Sequence, residues 1–410
     1  MVRSFLILFF CIVSLENSKG QALGFAIADG KKRVDIPIQI QNNLIVVPVI
    51  LNDVLPLKFI VDTGVRTAIL TQKAFSDILE LPYSRKYSIS GPGGEKLIDA
   101  YVTNNVSISL PGVTGRGHAL LVLEEDYLEL RNYLGTDVHG ILGYELFSRF
   151  IVKIDYSKKI MTLILPEKFH PRKKFQEIPM LVEDTKPFIL TSIDISPSNS
   201  MTAKLLMDTG ASHGLLLEPS SDERVRVPLN TVSTVIGRGL GGAITGKTGR
   251  IESIKLGDYS LDQVLANFPD PNSYMDTLKS TLTFRHGTVG GEILSRFTVI
   301  FNYPQGKLYL KKNSSFNKKF YFNLSGIDLK AKGSGLNVFE VMDVRKLSPA
   351  DKVGVHQGDL VISVNGVLTK DLRLNELNAL LNSKPGKKII LGIERNKIRY
   401  ELNFRLENQI

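Results

Sequence analysis

The chain of 410 residues contains a single cysteine, Cys11. It lies in an apolar run, residues 5–15, behind Arg3 and ahead of small and polar residues. This is the pattern of a secretory signal peptide over residues 1–20, too short to cross a bilayer as a helix. Ser18 and Gly20 place small residues for cleavage before Gln21, with Ala22 as the alternative, and bulky Phe9 and Phe10 argue against a lipid anchor on Cys11. The mature chain is then expected to lack cysteine, which excludes a disulfide, a thiol nucleophile and a thiolate-bound metal. No second apolar run is long enough for a transmembrane helix, so an exported protein, periplasmic or extracellular, is expected. The six histidines (118, 139, 170, 213, 286 and 356) show no H-x-x-x-H or H-E-x-x-H spacing, so neither a metal nor any other cofactor is expected. There is no G-x-S-x-G elbow for a serine hydrolase, and the glycines of 237–246 lack the G-K-[ST] ending of a phosphate loop.

The formal charge is +10, or +9 without Arg3, Glu16 and Lys19 of the signal. Its densest runs, 172–174, 311–312 and 318–319, fall in connecting segments, and no recognition helix or basic-aromatic motif accompanies them. Nucleic acid is therefore not expected as a partner.

What is present is a large globular composition, 43% hydrophobic with 34 glycines, enough for two or three domains. Short β-branched and aromatic runs alternate with Gly, Pro and Asn turns, which predicts a mainly β protein. The chain also matches itself. "LKFIVDTGVRTAIL" at 57–70 returns as "AKLLMDTGASHGLLL" at 203–217, setting Asp62 and Asp208 apart by 146 residues. "GILGYELFSRFIVKIDY" at 140–156 returns as "GTVGGEILSRFTVIFNY" at 287–303, an offset of 147. Glycine-rich segments at 89–96 and 235–246 lie between these anchors and read as mobile hairpins. A unit of domain length has been duplicated, giving lobes at 30–166 and 177–312 joined by a basic link. A third unit at 326–406 follows a polar linker. In it, strand-like runs (336–341, 359–364, 388–394) are interrupted by a short helix after Ser348-Pro349 and a longer one near 374–381.

Two aspartates, each delivered by three apolar residues, are the chemistry this repeat offers. Carboxylates a few ångströms apart cannot both ionise easily, so the pair shares a proton. One member can then act as base on a water while the other polarises a carbonyl. Thr63 and Thr209 supply hydroxyls able to bond across an interface, and Gly64 and Gly210 let backbone amides approach the carboxylates. The alternative for the two Asp-Thr-Gly triplets is a pair of tight turns without catalysis.

On "DTG" at 62–64 and 208–210, and on "ILG" (141–143) and "TVG" (288–290) before short helices, residues 30–310 resemble the retropepsin-like aspartic peptidases in a fused, two-lobed, pepsin-type form. The resemblance implies acid-protease barrel lobes, Asp62 and Asp208 as the dyad, Thr63 and Thr209 as a cross-lobe grip, and Gly64 and Gly210 as supports. It also implies substrate-covering flaps near 88–98 and 234–247, with Gly91, Gly93, Gly94, Gly239, Gly241 and Gly242. This sequence departs from the family at Val65 and at Arg66 and Ser212, where retroviral-type enzymes carry an acidic residue that holds the substrate backbone. Arg66 is expected near the site, favouring ionised Asp62. Glu145, Ser148 and Arg149, with Glu292, Ser295 and Arg296, read as structural helix residues, and His213 as a packed or solvent-facing side chain.

The third unit resembles a PDZ domain of the bacterial type, on "SPADKVGVHQGDLVISVNG" at 348–366. The resemblance implies a carboxylate-binding loop at 332–336, an edge strand at 336–341 and a helix near 374–381 as the groove's other wall. Gly335, Leu336, Asn337 and Val338 are then the residues that meet the C-terminus of a peptide or protein. The whole reads as an exported aspartic endopeptidase with a recruiting PDZ domain. The alternative is a catalytically inactive peptide-binding or scaffold protein of the same fold.

Overall fold

The computed structural model describes residues 23–89, 91–93, 97–271 and 283–410; the signal-like residues 1–20 and Gly94 lie outside them. The protein is mainly β, and the duplication seen in sequence is a duplication of strand order. Lobe 1 runs Gln39–Gln41, Leu44–Leu51, Leu55–Val61, Gly140–Leu142, Ala68–Leu70, His118–Leu123, Ile98–Val106, Arg85–Ile89 across its sheet. Lobe 2 runs Leu181–Glu183, Lys186–Ser196, Asn199–Met207, Gly287–Val289, Leu215–Leu217, Tyr259–Pro269, Gly242–Leu256, Thr231–Gly239 along the same path. The apolar triplets Phe59-Ile60-Val61 and Leu205-Leu206-Met207 are buried throughout. Each lies beside a parallel partner, Gly140–Leu142 or Gly287–Val289, as strands covered on both faces do.

A further sheet joins the lobes. Its order is Gln176–Pro179, Lys307–Lys312, Phe297–Asn302, Ile151–Asp155, Ile160–Ile164, Arg33–Pro37, and the seam is the antiparallel pair Ile151–Asp155 with Phe297–Asn302. Lys153 stands opposite Ile300 there. Phe147, Phe301 and Tyr303 pack together at this seam, Phe147 and Phe301 edge to face, and one apolar core runs through both lobes. Among the described residues no helix is long and apolar enough to cross a membrane.

The C-terminal unit has its own core. Its sheet runs Ile327–Lys332, Val338–Val344, Leu360–Val364, Lys388–Arg395, Ile398–Arg405, with helices Pro349–Lys352 and Leu374–Leu381. This corrects the sequence expectation for the peptide groove. Val338–Val344 pairs on both sides, with Ile327–Lys332 and with Leu360–Val364, so it has no edge to offer. Gly335, Leu336 and Asn337 form the turn that leads into Val338, and Leu336 is buried in the PDZ core with φ +53°. The edge strand is Ile327–Lys332, which helix Leu374–Leu381 flanks. The loop at its start is 323–326, where the Leu324 amide donates to Asn382 Oδ1 at 2.7 Å. The glycine-rich turn "GSG" imitated a binding loop, but strand pairing decides which edge is free.

Asp359, whose side chain is 1% exposed, clamps this unit. It accepts from Arg395 Nε at 2.6 Å and Nη2 at 2.7 Å, and from the His356 amide at 2.8 Å. Removing it strands a partly buried guanidinium and a backbone donor. An Asp359→Ala chain is expected to lose about 2–4 kcal/mol of PDZ stability. Chemical denaturation should then resolve an early transition confined to this unit.

Candidate active site

Asp62 follows strand Leu55–Val61 and Asp208 follows Asn199–Met207. The amide of Asp62 donates to Leu142 O at 2.8 Å and that of Asp208 to Val289 O at 2.9 Å, so the "ILG" and "TVG" segments hold the two turns. Behind them, Gly143 and Gly290 lie where a Cβ would fall 2.0 Å from Val65 O and 2.3 Å from His213 O. No larger residue fits these close crossings.

The two threonines bind the lobes reciprocally. Thr63 Oγ1 donates to Met207 O at 2.6 Å and accepts from the Thr209 amide at 3.0 Å. Thr209 Oγ1 donates to Val61 O at 2.8 Å and accepts from the Thr63 amide at 3.1 Å. Both side chains are fully buried, so truncating either leaves an amide and a carbonyl unpaired. Thr63→Ala and Thr209→Ala are each expected to cost about 2–4 kcal/mol, and the double variant less than the sum, because all four bonds form one network. A double-mutant cycle by urea unfolding measures this.

The carboxyls face one another at this junction. Gly64 N donates to Asp62 Oδ1 at 2.6 Å and Gly210 N to Asp208 Oδ1 at 2.8 Å. A point one bond off the Gly64 backbone lies 3.0 Å from Asp62 Oδ1 and 3.5 Å from Asp208 Oδ2, so the oxygens of both are within reach of one small group. Burial raises both pKa values, and the Asp208 charge pushes Asp62 further up. Lys186 opposes this at Asp62 and Arg285 at Asp208. The pair therefore titrates as a unit and holds a proton above the usual carboxylate range.

Sequence reading did not single out Lys186 or Arg285. Arg285 is fixed by Glu218, Nε to Oε1 at 2.9 Å, and both side chains are largely buried. Arg66 lies at the lobe boundary, but its side chain is 73% exposed and its guanidinium pairs with Asp184 of lobe 2 at 3.7 Å. The cation whose charge lowers the Asp62 pKa, against the effect of burial, is Lys186. The pseudo-symmetric contact is Asn43 Nδ2 donating to Ser212 O at 3.1 Å, so Arg66 and Ser212 both mark cross-lobe contacts. His213 packs with Nε2 enclosed, and burial pushes its pKa down to about 4.

The two glycine-rich hairpins meet. Gly241 N donates to Pro92 O at 3.0 Å. Added Cβ atoms would lie 2.2 Å from Gly242 O at Gly93, 2.1 Å from Pro92 O at Gly239 and 2.9 Å from Leu240 Cβ at Gly91. The tips thus touch backbone to backbone. Leu240, at the second tip, packs into lobe 1 with Val65, Ile69 and Ile141, and Arg238 lies 4.6 Å over the Tyr133 ring. Gly335, Leu336, Asn337 and Val338 belong to the PDZ hairpin described above and not to this site.

The sequence profile of the Aspartyl protease family matches residues 47–146 and 195–283, one segment in each lobe, and that of the PDZ domain matches 340–395. A protein of Staphylococcus saprophyticus subsp. saprophyticus named "Probable CtpA-like serine protease" is 30% identical over 95 residues, which is 23% of this chain and 19% of that protein. The chain thus spans about a fifth of that relative's length. With their paired Asp-Thr-Gly turns and shared strand order, the two lobes are those of a retropepsin-like aspartyl protease domain in fused form, followed by a C-terminal PDZ domain.

Proposed function

We propose that the protein is an exported aspartic endopeptidase that hydrolyses peptide bonds with a water held between Asp62 and Asp208. The observation that carries this reading is the pair of partly buried carboxyls brought to one point by the reciprocal threonine grip, between lobes whose glycine-rich hairpins touch at their tips. The ionised carboxyl takes a proton from the water, whose oxygen attacks the scissile carbonyl carbon. The protonated carboxyl gives its proton to the carbonyl oxygen. As the tetrahedral species collapses, the C–N bond breaks, the proton taken from the water passes to the leaving amine, and a hydroxyl of the tetrahedral species returns a proton to the carboxyl that gave one. Burial keeps a proton on the pair so that acid and base are present together. The PDZ domain contributes a second peptide-binding surface.

The test is a peptide pool incubated with the chain lacking residues 1–20, from about pH 3 to about pH 8, with products read by mass spectrometry. Cleavage is expected, blocked by a pepstatin-like mimic of the tetrahedral species and indifferent to a fluorophosphonate. The reverse inhibition pattern would sink the dyad assignment. No cleavage at any pH would favour the inactive peptide-binding alternative.

A further inference from the structure

Helix Leu130–Leu134 of lobe 1 sits on the Ala331 end of the edge that a PDZ peptide would use. Asn132 Nδ2 donates to Ala331 O at 2.8 Å, on the edge strand Ile327–Lys332. Arg131, oriented by Asp137 at 2.7 Å, donates through Nη2 to Ser334 O at 2.6 Å in the following turn. Just beyond the helix, Gly135 lies against Leu374, the first residue of the groove helix, with space for no Cβ. The lobe 1 segment thus spans the far end of the groove, opposite the 323–326 loop that Asn382 closes.

The other faces of the same five residues reach the catalytic cleft. Leu130 packs both against the cluster of Leu134, Val138 and Ile60 and against that of Ile69 and Ile141, on which Val65 and Leu240 also pack. Tyr133 carries the Arg238 guanidinium of the second flap on its ring. The PDZ side is held by polar contacts, and a cavity of about 460 Å³ beside them, between Gln41 and Lys58 of lobe 1 and Leu336 and Arg373 of the PDZ unit, leaves that interface loosely packed.

We propose that helix Leu130–Leu134 is a relay: an extended peptide adding to strand Ile327–Lys332 displaces Arg131 and Asn132, and the released helix withdraws Tyr133 from Arg238 and frees the second flap. Its consequence for turnover rests on the endopeptidase reading above, but the coupling itself does not. Strand addition suits the displaced contacts, because a peptide backbone would supply in a row the donors that Asn132 supplies singly. The partner is thus an extended peptide segment, and its apolar side chains would enter the space between the edge strand and Leu374 and Leu377.

The test uses the full chain, hydrogen–deuterium exchange, and a pool of fluorescein-labelled decapeptides with free carboxyl termini. In Arg131→Ala/Asn132→Ala, exchange is expected to rise about tenfold in both 327–332 and the flap strand 231–239, as two linking contacts are lost. The same variant should bind the pool about tenfold more tightly than the parent. Tyr133→Ala should raise exchange in the flap alone. A double variant that loosens the edge strand and leaves the flap unchanged overturns the relay, as does one that changes neither. Because exchange and binding need no turnover, an inert protein with the coupled pattern refutes the endopeptidase and supports the relay. A cleaving protein with an uncoupled flap does the opposite.

Discussion

Asp62→Asn and Asp208→Asn proteins are expected to lose peptide hydrolysis by at least about a thousandfold, while melting at a higher temperature than the parent near neutral pH. The first effect follows because an amide can neither take the proton of the water nor share one with its partner. The second follows from linkage. Both carboxyls bind protons more tightly in the folded chain than in the unfolded one, through burial at both and the Asp208 charge at Asp62. Below the ordinary carboxyl value of 3.8, folded and unfolded states are both protonated and the pair costs nothing. As pH rises above it, the unfolded chain releases protons that the folded chain retains, so folding loses ground until the folded pair also ionises. Asparagine escapes this loss. Melts at about pH 3 and about pH 7 should therefore coincide for parent and variant at the lower value and separate by a few degrees at the higher. A difference of equal size at both would refute the buried, proton-holding pair.

Gly210→Ala is expected to lower kcat by at least about a hundredfold, leaving KM nearly unchanged and both lobes folded. A Cβ at this position falls 2.1 Å from Asp62 Cγ and Oδ2, and the carboxyl is the part free to move. Swinging it aside breaks the shared site, because reacting groups tolerate displacements of well under about 1 Å. Gly64→Ala is the comparison. Its Cβ meets Asp62 Oδ1 at 3.0 Å and Asp208 Oδ2 at 3.5 Å, contacts that a few tenths of an ångström relieve. The milder variant should keep a substantial part of its rate. Steady-state kinetics that ranked the two glycines equally would contradict the asymmetry.

That asymmetry also shows where sequence reading stops. Asp62, Thr63 and Gly64 and their counterparts at 208–210 were legible because short motifs recur at one offset, and the structure brings all six together. The apolar triplets and the "ILG" and "TVG" segments were legible for the same reason. Identical triplets do not say which glycine crowds which carboxyl, since that depends on how the lobes tilt together. The pairing of Arg66 with Asp184, the action of the Lys186 charge on Asp62, and the contact of Tyr133 with Arg238 join residues roughly a hundred or more positions apart and leave no periodic trace. In the PDZ unit, the strands near 338, 360 and 388 and both helices were visible, while Ile327–Lys332 was passed over. Its alternation of Ile, Leu and Ala with Asp and Lys is the mark of a half-buried strand, but it abuts a polar linker and a glycine turn that looked functional.

The seam between the lobes bears on how the chain avoids its neighbours. Residues 153 and 300 are equivalent positions in the repeat, so the local two-fold of the joining sheet passes between Lys153 and Ile300. Two first lobes meeting in this way would set lysine directly against lysine, a pairing that like charges oppose. A first lobe beside a second sets the lysine against an isoleucine. During synthesis the first lobe emerges with this edge open, beside identical lobes on other ribosomes of the same message. Its central lysine makes those twins poor partners, and the edge is kept for the second half of its own chain.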